Sequence, residues 1–332
     1  MSWQDTENYV RKIASYIWER PAVAETIAGV KCDCVVKIEA DRWILIEITE
    51  QCSLEKVRSD ILKLRTVKSA LLQEEIYAKC YFVMREKPTD SMRSSGSAQK
   101  IHVMSMDEFK NMYFDYPGYF HLRSEKQFGS LVNFETGKPE QNEYINVSYI
   151  SRTGREFGIS EIIANLKAGK KIILKGDFGS GKSRCVKQVF DTVNREKNCN
   201  FYTIAINLRE HWGARRSPEI LHRHFEELGL DYHNFMKSFT NPSVLYLLDG
   251  FDEIGTQLWT TDVKKMRHAK MMSVAALRDL LSKAEGGVLI SGREYYFNSD
   301  KDMLDSLGLN GRETIILECR SEFSDGEIVE FF

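Results

Sequence analysis

The chain has 332 residues, of which 42% are hydrophobic and 28% are charged, a composition typical of a folded protein with room for two hydrophobic cores. The formal net charge of −2 excludes a general attraction to nucleic acid, so any such contact would need a local basic patch. The seven dispersed cysteines, the acids near the N-terminus and the strand-sized apolar runs predict a cytoplasmic protein with no secretion signal, disulfide framework or membrane contact.

The first third of the chain predicts a small α/β domain, which we assign to residues 1–112. Apolar residues recur at helical spacing in two of its segments and in short strand-like runs elsewhere. The Ser- and Gly-rich stretch before its last strand predicts a loop. In chain order the predicted elements are a helix over residues 6–18, strands over 34–38 and 43–49, a helix over 54–68, and strands over 79–84 and 101–104.

Two acidic residues, Asp33 and Glu47, lie on the predicted hairpin of this domain. A carboxylate in a strand as apolar as ILIEIT needs a physical reason, and a divalent metal ion shared by carboxylates on adjacent strands would supply one. This arrangement resembles the restriction-endonuclease-like PD-(D/E)xK fold, in which a lysine follows two residues after the second acid. Thr49 stands at that position here, and Lys56 on the next helix is the candidate that would supply the charge.

The resemblance implies that Asp33 and Glu47 bind the metal and act in catalysis together with Lys56, with DNA as the candidate partner of this domain. The helix over residues 54–68 carries an excess of positive charge that would suit a phosphate backbone. Because the lysine is displaced, two interpretations stay open, namely an active nuclease and a degenerate copy of the fold that only binds.

Residues 113–145 predict a connector wrapped on the surface, because Pro, Gly and aromatic residues are scattered there without a period. From residue 146 to residue 332 the pattern is a strand, a glycine loop and a helix, followed by further alternating strands and helices. That alternation predicts a second α/β domain with a parallel sheet flanked by helices.

The glycine loop of the second domain has the sequence GDFGSGKS at residues 176–183, between an apolar strand and a helix. In that context it predicts a phosphate-binding P-loop, because glycines let backbone N–H groups converge on phosphate oxygens beside a positive helix N-terminus. Lys182 would neutralise the β- and γ-phosphates, and the Ser183 hydroxyl group would bind Mg²⁺. The predicted nucleotide-binding residues are Gly176, Asp177, Phe178, Gly179, Ser180, Gly181, Lys182, Ser183 and Arg184.

Acidic residues follow a second apolar strand, VLYLL, farther along the chain. Asp249 ends that strand and would hold Mg²⁺, mostly through water. Either Asp252 or Glu253 would orient or deprotonate the attacking water, and the sequence leaves open which of them is the base. Arg293 follows the next strand and would stabilise charge on the γ-phosphate. We expect the glycine loop and Asp249 to face each other across neighbouring strands.

The segments GDFGSGKS, LLDGFDE and LISGRE together resemble the NACHT family of signalling NTPases, within the STAND class. The resemblance implies an ATP-dependent switch that self-associates on activation, joined here to a nuclease-like effector domain, with a role in prokaryotic antiviral defence. ATP is the expected nucleotide because the chain has no Asn-Lys-x-Asp motif for reading guanine. Because members of the family continue beyond the core sheet, we expect this NTPase domain to be incomplete at its C-terminal end.

Two other functions remain open from the sequence. The first is a non-catalytic scaffold in which ATP regulates a nuclease fold that only recruits a partner, and such a scaffold would tolerate alanine at Asp33 and Glu47. The second is a restriction subunit of the AAA+ type, whose ATPase activity would rise with duplex DNA.

Overall fold

The computed structural model describes residues 3–132, 136–137, 144, 146–196, 201–231, 243–254 and 274–320. The fold is mixed α/β with two sheets, and parallel strands flanked by helices form the centre of the larger sheet. The chain divides into unit 1, from Met1 to Asp115, and unit 2, from Tyr116 to Phe332. None of the helices in the described ranges is long and apolar enough to cross a membrane.

Unit 1 contains the smaller sheet, whose strand order is β1-β2-β3-β4-β5. The first two pairs, β1–β2 and β2–β3, are antiparallel, whereas β3–β4 and β4–β5 are parallel. The predicted hairpin is therefore confirmed as β2–β3. The described elements are α1 (Trp3–Trp18), β1 (Ala22–Ile27), β2 (Val30–Lys37), β3 (Arg42–Thr49), α2 (Leu54–Gln73), β4 (Tyr77–Met84), α3 (Asp90–Ser97), β5 (Ile101–Ser105) and α4 (Met106–Asn111).

Strand β3 lies at the centre of this sheet, which explains its apolar composition. Its residues from Ile44 to Thr49 are all buried, as expected for a strand with partners on both sides and covered faces. Helix α2 packs an apolar stripe into the same core, where Val57 and Leu64 are fully buried, and each such side chain contributes roughly 1.5–3 kcal/mol. Glu47 is the acidic residue within the buried run of β3, and the surrounding sheet holds it in place.

Two elements of unit 1 differ from the sequence prediction. Strand β1 forms where no strand is predicted, because this edge strand has no fully buried residue to mark it. Helix α3 forms where a loop is predicted, with Thr89 as its N-cap and the side chain of its own Met92 buried. A Cβ atom at Gly96 would lie 2.4 Å from Val103 Cγ2, so the glycine that suggested a loop instead allows a helix to approach a strand.

Unit 2 contains the larger sheet, with the order β7-β6-β12-β8-β11-β10-β9. The strands from β12 to β9 are parallel, as predicted, and β6 and β7 add an antiparallel edge. Short 3-10 turns follow β9 and β11. The described elements are α5 (Tyr116–Ser124), β6 (Tyr149–Ser151), β7 (Glu156–Phe157), α6 (Ile159–Lys167), β8 (Lys171–Lys175), α7 (Lys182–Arg195), β9 (Tyr202–Asn207), α8 (Ser217–Glu227), β10 (Val244–Asp249), α9 (Ala275–Lys283), β11 (Val288–Gly292), α10 (Asp300–Leu307) and β12 (Thr314–Cys319).

Strand β11 lies between β8 and β10, so the glycine loop and Asp249 do not follow neighbouring strands as we expected. Asp249 instead pairs in register with Ser291 of β11. The strands of this region are all strongly apolar, so their amino-acid composition does not reveal the order in which they lie in the sheet. The polar groups that end β8, β11 and β10 nevertheless share one edge, because the carboxyl ends of parallel strands point the same way.

Helix α5 covers the edge of this sheet along β9. Its residues Tyr116, Tyr119 and Arg123 share one helix face through their i, i+3 and i+7 spacing. The N–H groups of Thr203 and Ala205 donate to the hydroxyl groups of Tyr116 and Tyr119, both at 2.9 Å, and Arg123 Nε donates to the Ala205 carbonyl at 2.7 Å. These bonds satisfy backbone groups that an edge strand leaves free. This part of the predicted surface connector is therefore packed into unit 2, with Tyr119 and Arg123 buried.

Candidate functional site

The glycine loop, residues 176–183, joins the end of β8 to the first turn of α7. Gly179 and Gly181 have φ values of 80° and 89°, in the left-handed region that glycine adopts without strain. Gly181 is also the N-cap of α7, a helix of 14 residues. The first N–H groups of a helix have no partner within it and carry a partial positive charge, so this arrangement suits a phosphate group.

Most of the predicted nucleotide-binding residues line one pocket in unit 2. The residues from Phe178 to Arg184 all contribute to its wall. Gly176 instead packs against β12, because a Cβ atom there would lie 2.9 Å from Cys319 Cβ. Asp177 does not line the pocket with its side chain, and its carbonyl group holds a lysine instead. The first two residues of the predicted loop are thus structural, and the residues that follow them line the pocket.

Lys182 folds back over the beginning of the loop. Its Nζ donates to the carbonyl oxygens of Gly176 at 2.8 Å and Asp177 at 2.6 Å. Burial lowers the pKa of this lysine, against the opposing effects of Cys319 and the pocket carboxylates. Because its close partners are carbonyl groups rather than carboxylates, the ammonium charge remains available to an anion that enters the pocket.

Asp249 ends β10 and is only 6% exposed. Ser291 Oγ donates to its Oδ1 atom, whereas Oδ2 is buried without a hydrogen-bond partner among the residues that the structure describes. Burial raises the pKa of this carboxyl group, against the effects of Ser183, Ser291 and Lys182. A buried, unpartnered carboxylate oxygen near the Ser183 hydroxyl group fits a Mg²⁺ ion. The contribution of Ser291 was missed, although a serine at the end of an apolar strand was a visible signal.

Asp252, Glu253 and Arg293 meet at the same pocket. The backbone N–H group of Arg293 donates to Asp252 Oδ1 at 3.1 Å, and Arg293 Nε lies 3.1 Å from Asp252 Oδ2. Glu253 lies between two arginines, 2.8 Å from Arg209 Nε and 3.6 Å from Arg293 Nη2. The Asp252 side chain is 8% exposed and that of Glu253 is 28% exposed. Asp252 therefore positions Arg293, whereas Glu253 is the acid that water reaches.

The strap, residues 125–131, is a part of this site that sequence patterns do not predict. It follows α5 and contributes three residues to the pocket wall. One of them is Gly129, where a Cβ atom would lie 2.2 Å from Ser183 Oγ and 2.3 Å from Asp249 Oδ2. No local signal marks this contact, because it joins segments far apart in the chain and a single glycine in a connector is common.

A second group of charged side chains lies in unit 1, on the adjacent strands β2 and β3. Glu47 is 1% exposed, and its Oε1 atom accepts from Lys63 Nζ at 2.7 Å. Its Oε2 atom is buried without a hydrogen-bond partner in the described ranges. Asp33 lies beside it and accepts the Ile48 N–H group at 3.0 Å. Burial, together with Asp33, raises the pKa of Glu47 to about 9, against the effect of Lys63. Two such carboxylates fit a divalent cation.

The structure corrects the lysine that we assigned to this group. Lys56 lies in the first turn of α2 and pairs with Asp60 at 2.8 Å, with 40% of its side chain exposed. Lys63, about two helical turns farther along, takes the position beside Glu47 instead. The part of α2 that lies beside Glu47 is thus the turn that contains Lys63, and not the first turn. Since a spacing of seven residues places both lysines on one helix face, the sequence already contained Lys63 as an alternative.

The described geometry therefore brings Lys182, Ser183 and Asp249 into one pocket, and it groups Asp33 and Glu47 with a different lysine from the one expected. In comparisons with known proteins, no protein-family model matches the chain and no curated protein is significantly similar to it. Function is accordingly inferred from the geometry of these residues.

Proposed function

We propose that unit 2 binds Mg²⁺–ATP and hydrolyses it, as a P-loop NTPase does. One observation carries the proposal: a buried oxygen of Asp249, unpartnered in the described part of the chain, lies at the pocket that also holds Ser183 and the glycine-capped start of α7. A serine hydroxyl group is a direct ligand for a phosphate-bound Mg²⁺, and a nearby carboxylate holds the water shell of the ion. The ion would neutralise charge on the β- and γ-phosphates.

The remaining residues of the pocket have separate roles in this proposal. The N–H groups of the glycine loop and of α7 bind the phosphate oxygens, and Lys182 exchanges its two carbonyl partners for phosphate. Glu253 polarises the attacking water, because it is the more exposed of the two acids. Arg293, held by Asp252, stabilises the charge that develops on the γ-phosphate.

Calorimetric titration of the whole chain with ATP and Mg²⁺ tests this function. We expect saturable binding and a slow release of inorganic phosphate, and we expect ATP to bind more tightly than GTP. An absence of binding heat with every nucleoside triphosphate would overturn the proposal.

We further propose a metal-dependent nuclease site of the PD-(D/E)xK kind in unit 1. The supporting observation is the group formed by Asp33, Glu47 and Lys63, with the buried Oε2 atom of Glu47 unpartnered in the described part of the chain. The two carboxylates would hold the cation, and Lys63 would stabilise negative charge on the phosphate under attack. Incubation with DNA and RNA in Mg²⁺ or Mn²⁺, with and without ATP, tests this activity. Intact substrates under all these conditions would favour a copy of the fold that only binds.

The whole chain, in this proposal, is a NACHT- or STAND-type switch in prokaryotic antiviral defence, whose nucleotide state controls assembly and thereby the effector in unit 1. The resemblance of residues 176–183 and 249–253 to that family supports this step. Light scattering with ATP and with ADP tests it, and we expect a larger assembly with ATP. An unchanged mass together with tolerance of alanine at Asp33 and Glu47 would favour the scaffold, and ATPase activity that rises with duplex DNA would favour the AAA+ alternative.

A further inference from the structure

Gly129 of the strap lies directly against the two oxygen atoms that we assign to the cation in unit 2. A Cβ atom at this position would lie 2.2 Å from Ser183 Oγ and 2.3 Å from Asp249 Oδ2. No carbon atom approaches an unbonded oxygen atom so closely, so both contacts would be steric clashes. The Gly129 backbone therefore packs directly against both oxygen atoms, and a side chain at this position would displace them.

The strap is fastened to the end of β9 by hydrogen bonds. The N–H group of Gly129 donates to Asn207 Oδ1 at 3.1 Å, and Asn207 Nδ2 donates to the carbonyl of Gln127 at 2.9 Å. Arg123 Nη2 donates to the same Asn207 oxygen at 3.1 Å. Gln127 Nε2 also donates to the Gly129 carbonyl at 2.6 Å. Asn207 thus fixes the distance between the strap and the sheet.

The residue before Gly129 is part of the hydrophobic core of unit 2. Phe128 is 2% exposed, and its ring centroid lies 5.3 Å from that of Phe190 on α7. The Arg123 guanidinium group lies 3.7 Å above the same ring. Withdrawal of the strap would expose Phe128 and separate it from the buried arginine. The strap is therefore a fixed wall of the pocket.

We propose that the strap is the third wall of the cation site and that Gly129 determines whether a divalent cation can occupy it. The inference rests on the proposed nucleotide function of unit 2 and adds to it a residue outside the glycine loop and the acids. A methyl group at position 129 would displace the Ser183 and Asp249 oxygen atoms that would hold the ion, while leaving Lys182 in place. ATP would still bind through its phosphates, but the gain in affinity from Mg²⁺ would be lost.

Gly129→Ala tests the inference, with Gly154→Ala as the matched control. The φ values of the two glycines are 51° and 77°, so both variants place alanine in the left-handed region, but a Cβ atom at Gly154 meets nothing within 4 Å. The dissociation constant of ATP is measured with Mg²⁺ and with EDTA. In the wild type and in Gly154→Ala we expect Mg²⁺ to tighten binding about tenfold, which is about 1.4 kcal/mol. In Gly129→Ala we expect less than about twofold, with the EDTA value unchanged.

A Mg²⁺ gain in Gly129→Ala equal to that of the wild type overturns the inference and leaves the proposed nucleotide function intact. A wild type that does not bind ATP overturns the proposed function and this inference with it. Circular dichroism establishes that the variants fold. Should Gly129→Ala not fold, Gln127→Ala replaces it, since it removes the side chain that holds the Gly129 carbonyl. We then expect the Mg²⁺ gain to fall about threefold, and an unchanged gain overturns the inference.

Discussion

Each unit buries a carboxyl group near a lysine, with one carboxyl oxygen unpartnered among the residues that the structure describes, but the lysine has a different partner in each unit. In unit 1, Lys63 bonds directly to Glu47 at 2.7 Å. In unit 2, Lys182 bonds to carbonyl groups of the glycine loop, and Asp249 is held by a serine instead. Lys63 therefore has a carboxyl group of its own site as partner, whereas the charge of Lys182 is available to a phosphate group.

The largest expected effect concerns Glu253, the residue of unit 2 that we propose activates the attacking water and that has no counterpart in the proposed chemistry of unit 1. Glu253→Gln should slow phosphate release by roughly 10²- to 10⁴-fold, because it removes the group that polarises the attacking water. The affinity for ATP should remain within about twofold. Single-turnover phosphate release and ATP titration measure the two quantities.

Asp252→Asn is the variant to compare with Glu253→Gln. Asp252 accepts from the backbone N–H group of Arg293 and pairs with its guanidinium group. The amide of asparagine should weaken this pairing and leave Arg293 less well placed, so phosphate release should slow by a smaller factor than in Glu253→Gln. A normal rate in Glu253→Gln beside a large loss in Asp252→Asn would reverse the two roles.

A substitution of Lys182 tests whether its charge is available to a phosphate group. Lys182→Ala should weaken ATP binding about 100-fold, since each hydrogen bond to a charged group contributes roughly 1.5–3 kcal/mol. Lys187→Ala is the control, because Lys187 lies on the same helix and pairs with Asp191 at 2.6 Å. Fluorescence titration with a labelled ATP analogue measures both affinities. Equal affinities for the wild type and Lys182→Ala would make Lys182 a structural residue and remove the contrast with unit 1.

The third prediction concerns the lysine of unit 1. If unit 1 cleaves nucleic acid, Lys63→Ala should lower cleavage about 100-fold, because the charge beside Glu47 is lost. Lys56→Ala should stay within about threefold of the wild type, since Lys56 pairs with Asp60 and not with Glu47. Gel assays with Mn²⁺ measure the rates. The opposite ranking of the two lysines would contradict the geometry of α2.

The smallest expected effect is a pH dependence in unit 1. The pKa of Glu47 rises from its usual 4.5 to about 9 on folding, so the folded state binds this proton more tightly than the unfolded state does. The resulting stabilisation is fully present below pH 4.5 and is lost as the pH rises towards 9. The free energy of unfolding should therefore fall as the pH rises from 5 to 9.

Glu47→Gln is the matching variant for the pH experiment, because glutamine has no proton to release. Urea unfolding at several pH values should show a smaller decline in this variant than in the wild type. Mn²⁺ should restore stability to the wild type at pH 8, because a bound cation replaces the proton. Identical pH profiles for the two proteins would show that Lys63 keeps Glu47 ionised throughout.

Much of the fold could be predicted from local patterns in the sequence. The alternation of strands and helices predicts the parallel sheet of unit 2, and the apolar run around Glu47 predicts a buried strand. The loop GDFGSGKS predicts the turn between β8 and α7, because left-handed glycines and a helix start are properties of adjacent residues. Strand β1 and helix α3 were missed, since one lacks buried side chains and the other has the composition of a loop.

Local sequence patterns predict most of the elements and the chemical groups at their ends, because side-chain period and turn chemistry act between residues close in the chain. Three features depend on tertiary packing instead: β11 separates β8 from β10, Lys63 rather than Lys56 meets Glu47, and Gly129 lies against Ser183 and Asp249. Each of these contacts joins segments far apart in the chain. Their formation depends on how whole elements pack, and packing leaves no periodic trace in the amino-acid sequence.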